Sequence, residues 1–330
     1  MVLQTHVDIE KGSFELMPSD RILFVGSCFA DNIGGRFKEH YFRATVNPYG
    51  VMYNPASILH TVERLMKEEA PALKGRSKDI GSNGIDNNSI GSNGIDSNDI
   101  GSNGMDNIVN SYDVAVFTLG TNHVYILNET GEIVDNCQKR PQKLFTEKVL
   151  SVEECQGYLQ RAIDLLSERN PDVKVILTVS PIRYQKYGFH ESQLSKATLL
   201  MAADNLTKQS SHHPSPTFEA SSSTPKPPSP NTHHPSPTTY FPAYEIMNDE
   251  LRDYRFYNPD MLHPSAQAVE YIYQRFAETY FARQTWQFAD EAEKVRRALN
   301  HRPLNPDSAE TKAFQAKAKA DEQAFLAKWE

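Results

Sequence analysis

The chain has 330 residues, of which 39% are apolar, enough side chain to bury the core of one large α/β domain or two small ones. Its formal net charge is −8 at pH 7, with no broad basic surface, which argues against nucleic acid or an anionic membrane as the principal partner.

Residues 21–27 read as a short buried strand, because Ile22, Leu23, Phe24 and Val25 form a continuous apolar run ending at Gly26. A helix follows to about residue 40. After the breaker Asn54-Pro55, residues Ile58, Leu59, Val62, Leu65 and Met66 recur at helical spacing and predict a second helix over 56–69. A ten-residue repeat, IGSNGIDNNS and its two variants, then fills residues 80–109. Glycine and aspartate also mark calcium-binding solenoids, but their nonapeptide pattern differs and three copies are too few to bury a core, so a tandemly expanded flexible loop is the better reading.

Globular patterning resumes with a buried strand over 113–119 and a hairpin through 128–131. An amphipathic helix over 151–169, a third buried strand in VKVILTVSPI and a helix in SQLSKATLLMAADNLTKQ come next. Strands alternating with helices predict a parallel sheet covered on both faces. Residues 209–239 form a second biased insert, rich in proline and serine, whose His212, His213, His233 and His234 have no fixed metal geometry; a disordered linker is expected. The chain then regains globular composition, ends one long helix, and closes with helices near 287–299 and 307–328. The expected organisation is an α/β domain over 1–285 with inserts at about 80–109 and 209–239, and a helical extension over 286–330.

The first twenty residues lack a basic start followed by an apolar stretch, and no run of about eighteen apolar residues occurs, so no export signal or membrane span is readable. The three cysteines, Cys28, Cys137 and Cys155, have no metal-ligand spacing and suggest neither a disulfide framework nor a zinc site. The compartment reads as reducing cytoplasm; no metal or cofactor is expected, and the oligomeric state is not legible.

Ser27 sits where the first strand meets a helix, on the edge of an α/β sheet that holds ligands. A serine hydroxyl needs a base at neutral pH. NPDMLHPSA supplies one: Asp260 and His263, three residues apart, can share one turn, with the carboxylate fixing the imidazole tautomer. Taken separately, Ser27 also reads as a helix cap, and Asp260 with His263 as a helix start before Pro264.

GSCFA, NPYGVMYNP, TLGT, NCQKRP, TVSPIRY and the run from Tyr240 to Pro264 resemble the GSCFA family of bacterial proteins, itself similar to the SGNH or GDSL-like hydrolases. The resemblance covers nearly all of the chain outside the two inserts. It implies a flavodoxin-like three-layer α/β/α sandwich with C-terminal helices, and a serine hydrolase site with Ser27 as nucleophile and Asp260 and His263 as its partners. By the same resemblance, Gly50 in NPYG and the Ser27 amide would form an oxyanion hole, and Asn122 in Gly120-Thr121-Asn122 would add a side-chain donor. The sequence departs from the wider pattern in having Gly-Ser-Cys at residues 26–28, His123 after Asn122, and Gln138 where relatives carry histidine.

Cys28 is the rival nucleophile, and Ser27 is favoured over it. His60 and His123 are weaker candidates. Arg183 and Tyr184, after the third buried strand, are candidate contacts for an anionic substrate group; Arg252 and Arg255 read equally as salt-bridge partners. The expected function is hydrolysis of an ester, with acetyl on a carbohydrate as the substrate guess from the wider superfamily. The alternatives are an O-acyltransferase working through the same acyl-enzyme and a non-catalytic binding or scaffold protein whose closing helices pack on the domain or dimerise.

Overall fold

A computed structural model describes residues 5–67, 111–137, 140–211 and 236–329. The ten-residue repeat, Gln138 and the four histidines at 212, 213, 233 and 234 lie outside them.

Five parallel strands form the main sheet: β1 (Ile22–Gly26), β2 (Ala44–Val46), β3 (Val114–Leu119), β7 (Lys174–Val179) and β8 (Thr238–Tyr240). Their spatial order is β2-β1-β3-β7-β8, a doubly wound order that reverses direction beside β1. The alternation of side chains along each strand makes two cores. Ile22, Phe24, Val114, Val116 and Ile176 face one hydrophobic cluster; Leu23, Val25, Ala115, Phe117, Val175 and Leu177 face the other. Both faces are covered, which is why these strands read as unbroken apolar runs.

The first core is closed by α1 (Cys28–Glu39), the short α5 (Ala243–Glu245) and α6 (Ala266–Tyr280), the second by α2 (Pro55–Lys67), α3 (Val152–Arg169) and α4 (Phe189–Ser211). Helix α3 starts in a capping box, with Ser151 and Glu154 each satisfying the other's backbone N–H. The three-layer sandwich expected from the sequence is therefore present. Between β3 and α3 the chain makes a small antiparallel sheet, β5-β4-β6, from β4 (His123–Leu127), β5 (Ile133–Val134) and β6 (Phe145–Val149). The predicted hairpin is its β4-β5 turn, where Gly131 adopts φ +73°.

At the two ends of the second biased stretch, α4 runs to Ser211 and β8 begins at Thr238, and the buried Ser236 bonds Ser167 Oγ at 2.6 Å. The closing helices, α7 (Arg283–Leu299) and α8 (Ala309–Trp329), pack on the domain: Phe288 meets Phe42 at 4.8 Å and Phe325 at 5.2 Å between ring centroids. Among the described residues, no helix is long and apolar enough to cross a membrane.

Candidate active site

The carboxyl edge of β1 is built by close backbone approach. Gly26 has φ +150°, and a Cβ there would lie 2.2 Å from the Thr118 carbonyl oxygen, so only glycine lets β1 pass β3 at this point. Ser27 follows in an extended conformation and begins α1 as its N-cap, with Oγ accepting the Phe29 N–H at 3.3 Å. Ser27 is fully buried, and its own N–H donates to Thr118 O at 3.1 Å.

The NPYG turn is held against this edge by Asn47, which lies in the left-handed region at φ +40°. Its Oδ1 accepts the Gly26 N–H at 2.9 Å and its Nδ2 donates to Asp31 Oδ1 at 2.6 Å. Gly50 closes the turn, its N–H donating to Asn47 O at 2.8 Å. Asn122, in the turn between β3 and β4, donates from Nδ2 to Leu150 O at 2.7 Å, and its buried Oδ1 has no hydrogen-bond partner. Each of the three donors expected to form the oxyanion hole is thus bonded within the protein.

Asp260 and His263 come together as their spacing suggests, outside any helix. His263 Nδ1 and Asp260 Oδ2 are 2.6 Å apart. Asp260 Oδ1 also accepts the backbone N–H groups of Leu262 and His263 at 2.9 and 3.0 Å, and Met261 between them takes φ +58°. Slight desolvation raises the Asp260 pKa, but these backbone N–H groups and the imidazole outweigh it and hold the carboxyl below its ordinary range. A carboxylate only accepts, so His263 Nδ1 carries the proton and Nε2 is left as the basic nitrogen. The loop is tied to the segment after β7 by Arg183 N–H donating to Leu262 O at 3.2 Å. The two side chains are 41% and 44% exposed while Ser27 is sealed, and among the described residues no hydrogen bond joins Ser27 to His263.

The rival Cys28 is half-buried. Burial pushes its thiol pKa up; its own backbone N–H and Lys196 pull the other way without prevailing, so it stays protonated at neutral pH.

Sequence reasoning missed a clasp supplied by α4. Ser195 Oγ accepts the Asn122 N–H at 3.0 Å and meets Thr121 Oγ1 at 3.1 Å. Lys196 Nζ donates to Gly120 O at 2.6 Å and Ser180 O at 2.8 Å, capping the carboxyl ends of adjacent strands β3 and β7. Gly120 and Thr121 in turn donate to Tyr53 O at 2.9 and 2.8 Å. Lys196 is almost wholly buried, with Nζ 5.1 Å from the Tyr184 ring centroid. Burial, aided by Arg183, lowers its pKa to about 7. The signal lay in the helical pattern: Ser192, Ser195, Lys196, Leu199, Ala203 and Leu206 share one buried face, and a lysine on such a face needs partners.

Tyr184 packs over Gly120, where a Cβ would lie 2.5 Å from its hydroxyl, and that buried hydroxyl has no hydrogen-bond partner. His123 stacks on Tyr187 at 3.8 Å and pairs with Glu147 at 2.6 Å, and His60 pairs with Asp135 at 2.7 Å. Arg255 lies 3.8 Å from Asp253.

No curated protein matches the chain. Among solved structures, an acetyl esterase mutant crystallised with acetate ion is 14% identical, with a TM-score of 0.29; the match covers 58% of this chain and 66% of that one. A carbohydrate esterase family 3 protein from Talaromyces cellulolyticus is 13% identical, with a TM-score of 0.28, over 55% of this chain and 60% of that one. The model of the GSCFA family matches residues 21–276, from the first residue before β1 through most of α6. That match takes in the Gly-Ser-Cys edge, the NPYG turn and the Asp260–His263 loop, and the chain belongs to the GSCFA family.

Proposed function

We propose that the protein is a serine esterase of the SGNH type, with Ser27 as nucleophile, His263 as general base and then acid, and Asp260 holding the imidazole. The observation that carries this reading is the 2.6 Å Asp260–His263 pair on a loop tied to the same sheet edge at which Ser27 follows β1. In the reaction His263 Nε2 takes the Ser27 proton as Oγ attacks the ester carbonyl, the tetrahedral intermediate expels the alcohol protonated by His263, and water then releases the acid. The oxyanion falls to the Ser27 and Gly50 amides and to Asn122 Nδ2, which must turn from their present acceptors toward substrate. The substrate is a small ester, with a short acyl group such as acetyl on a carbohydrate-like alcohol. Transfer of the acyl group to a second hydroxyl uses the same intermediate.

One observation favours a non-catalytic binding protein instead: Ser27 is sealed and its hydroxyl serves as a helix cap. Hydrolysis of para-nitrophenyl acetate decides between them. The esterase reading expects Ser27→Ala and His263→Ala each to lose roughly a thousandfold or more in kcat. Wild-type protein without esterase activity toward any short-acyl ester favours the binding protein.

A further inference from the structure

Two basic side chains stand beside the carboxyl end of β7 without a carboxylate partner among the described residues. Lys196 is held by two carbonyl oxygens and aromatic rings. Arg183 lies over the Phe189 ring at 5.3 Å, and its buried Nε has no hydrogen-bond partner. Asp260 is engaged by His263, Glu245 by the Tyr240 hydroxyl at 2.9 and 3.1 Å, and Asp253 by Arg255. Arg183 in turn disfavours the charge on Lys196. A guanidinium whose buried Nε lacks a partner is costly to fold, and an anion from outside would relieve it. Arg183 is the one such an anion can meet. It is only half-buried, its backbone touches the Asp260–His263 loop, and its charge reaches the phenols of Tyr244 and Tyr257.

We propose that Arg183 is the anion-recognition residue of this site and that the substrate is an ester carrying a compact oxyanion, a carboxylate or a sulfate. The guanidinium fork matches such groups in shape as well as charge. On a carbohydrate this means an acidic sugar. The inference rests on the esterase reading for the reaction, and on the unmatched Arg183 guanidinium for the substrate's charge.

The test compares para-acetoxybenzoate with its neutral isostere para-acetoxybenzamide. Wild type is expected to favour the benzoate in kcat/KM by roughly ten- to a hundredfold, the worth of a charge-assisted hydrogen bond, with the difference in KM. In Arg183→Gln the ratio falls to near one, and Arg183→Lys restores part of it. A wild-type ratio near one, or a ratio that Arg183→Gln leaves intact, overturns the assignment. Calorimetric titration of wild type with para-hydroxybenzoate and para-hydroxybenzamide needs neither turnover nor a variant. Binding selective for the benzoate supports the anion site even where Ser27→Ala retains hydrolysis, so the two readings fail separately. Para-hydroxybenzenesulfonate in the same titration separates carboxylate from sulfate recognition, and absence of binding by both anions overturns the proposal.

Discussion

Replacing Lys196 with methionine removes a buried charge while keeping the length of the side chain, and the structure predicts a pH-dependent change in stability. The folded pKa of about 7 lies below the ordinary lysine value of 10.5 because burial, then Arg183, disfavours the cation. Between those two values the unfolded chain binds a proton that the folded chain has released, so wild-type stability rises with pH. Each pKa unit corresponds to about 1.36 kcal/mol, so the gain between pH 7 and 10 amounts to about 4 kcal/mol. Hydrogen bonds to Gly120 O and Ser180 O favour the cation and set this figure as an upper value. Lys196→Met has no proton to lose, so the difference between the two proteins isolates this group from every other titration. Urea unfolding of both at pH 6, 8 and 10 measures it: Lys196→Met is expected to be the more stable near pH 6 relative to its standing at pH 10. Parallel stability profiles across that range would refute the reasoning.

The other predictions concern single contacts. Gly26→Ala forces a Cβ to 2.2 Å from Thr118 O at φ +150° and is expected to cost more than about 4 kcal/mol or to prevent folding; a urea midpoint close to wild type contradicts the close approach. Glu250→Ala removes the buried carboxylate whose two oxygens lie 2.6 and 2.7 Å from Arg275 Nη1, leaving Arg275 the exposed Glu278 and the Val7 carbonyl, at a cost of about 3 kcal/mol; a loss under about 1 kcal/mol in the same assay rejects it. Asp260→Asn is expected to lower kcat roughly a thousandfold or more while leaving the thermal midpoint near wild type, because the pair is exposed; equal losses of activity and folded structure would make the role structural. The depressed Asp260 pKa means that its contribution is present above the ordinary aspartate value of 3.8 and lost as pH falls through the folded one, so the activity gap between wild type and Asp260→Asn is expected to persist down to that pH and to close below it.

The strands β1, β3 and β7 are legible because two-sided burial writes them as continuous apolar runs between breakers. The edge strands β2 and β8 have three residues each, too few for any period to show, and β6 is exposed at four of its five positions. Helix periodicity found α2, α3 and α7, whose apolar faces are one-sided. At the site, the short-range pair Asp260–His263 is visible from spacing alone. The Asn47 tether and the Ser195–Lys196 clasp are not, because they join residues brought together only by the sheet: Asn47 to Gly26, and Lys196 to the ends of β3 and β7. The pattern of α4 shows that Lys196 is buried, but not which carbonyls meet it.

The nucleophile is the central claim, and covalent labelling tests it most directly. The wild-type protein, treated with a fluorophosphonate at neutral pH and digested for mass mapping, is expected to carry the label on Ser27, with labelling abolished in Ser27→Ala and slowed in His263→Ala. A label on Cys28, or no label on a protein that hydrolyses esters, would contradict it.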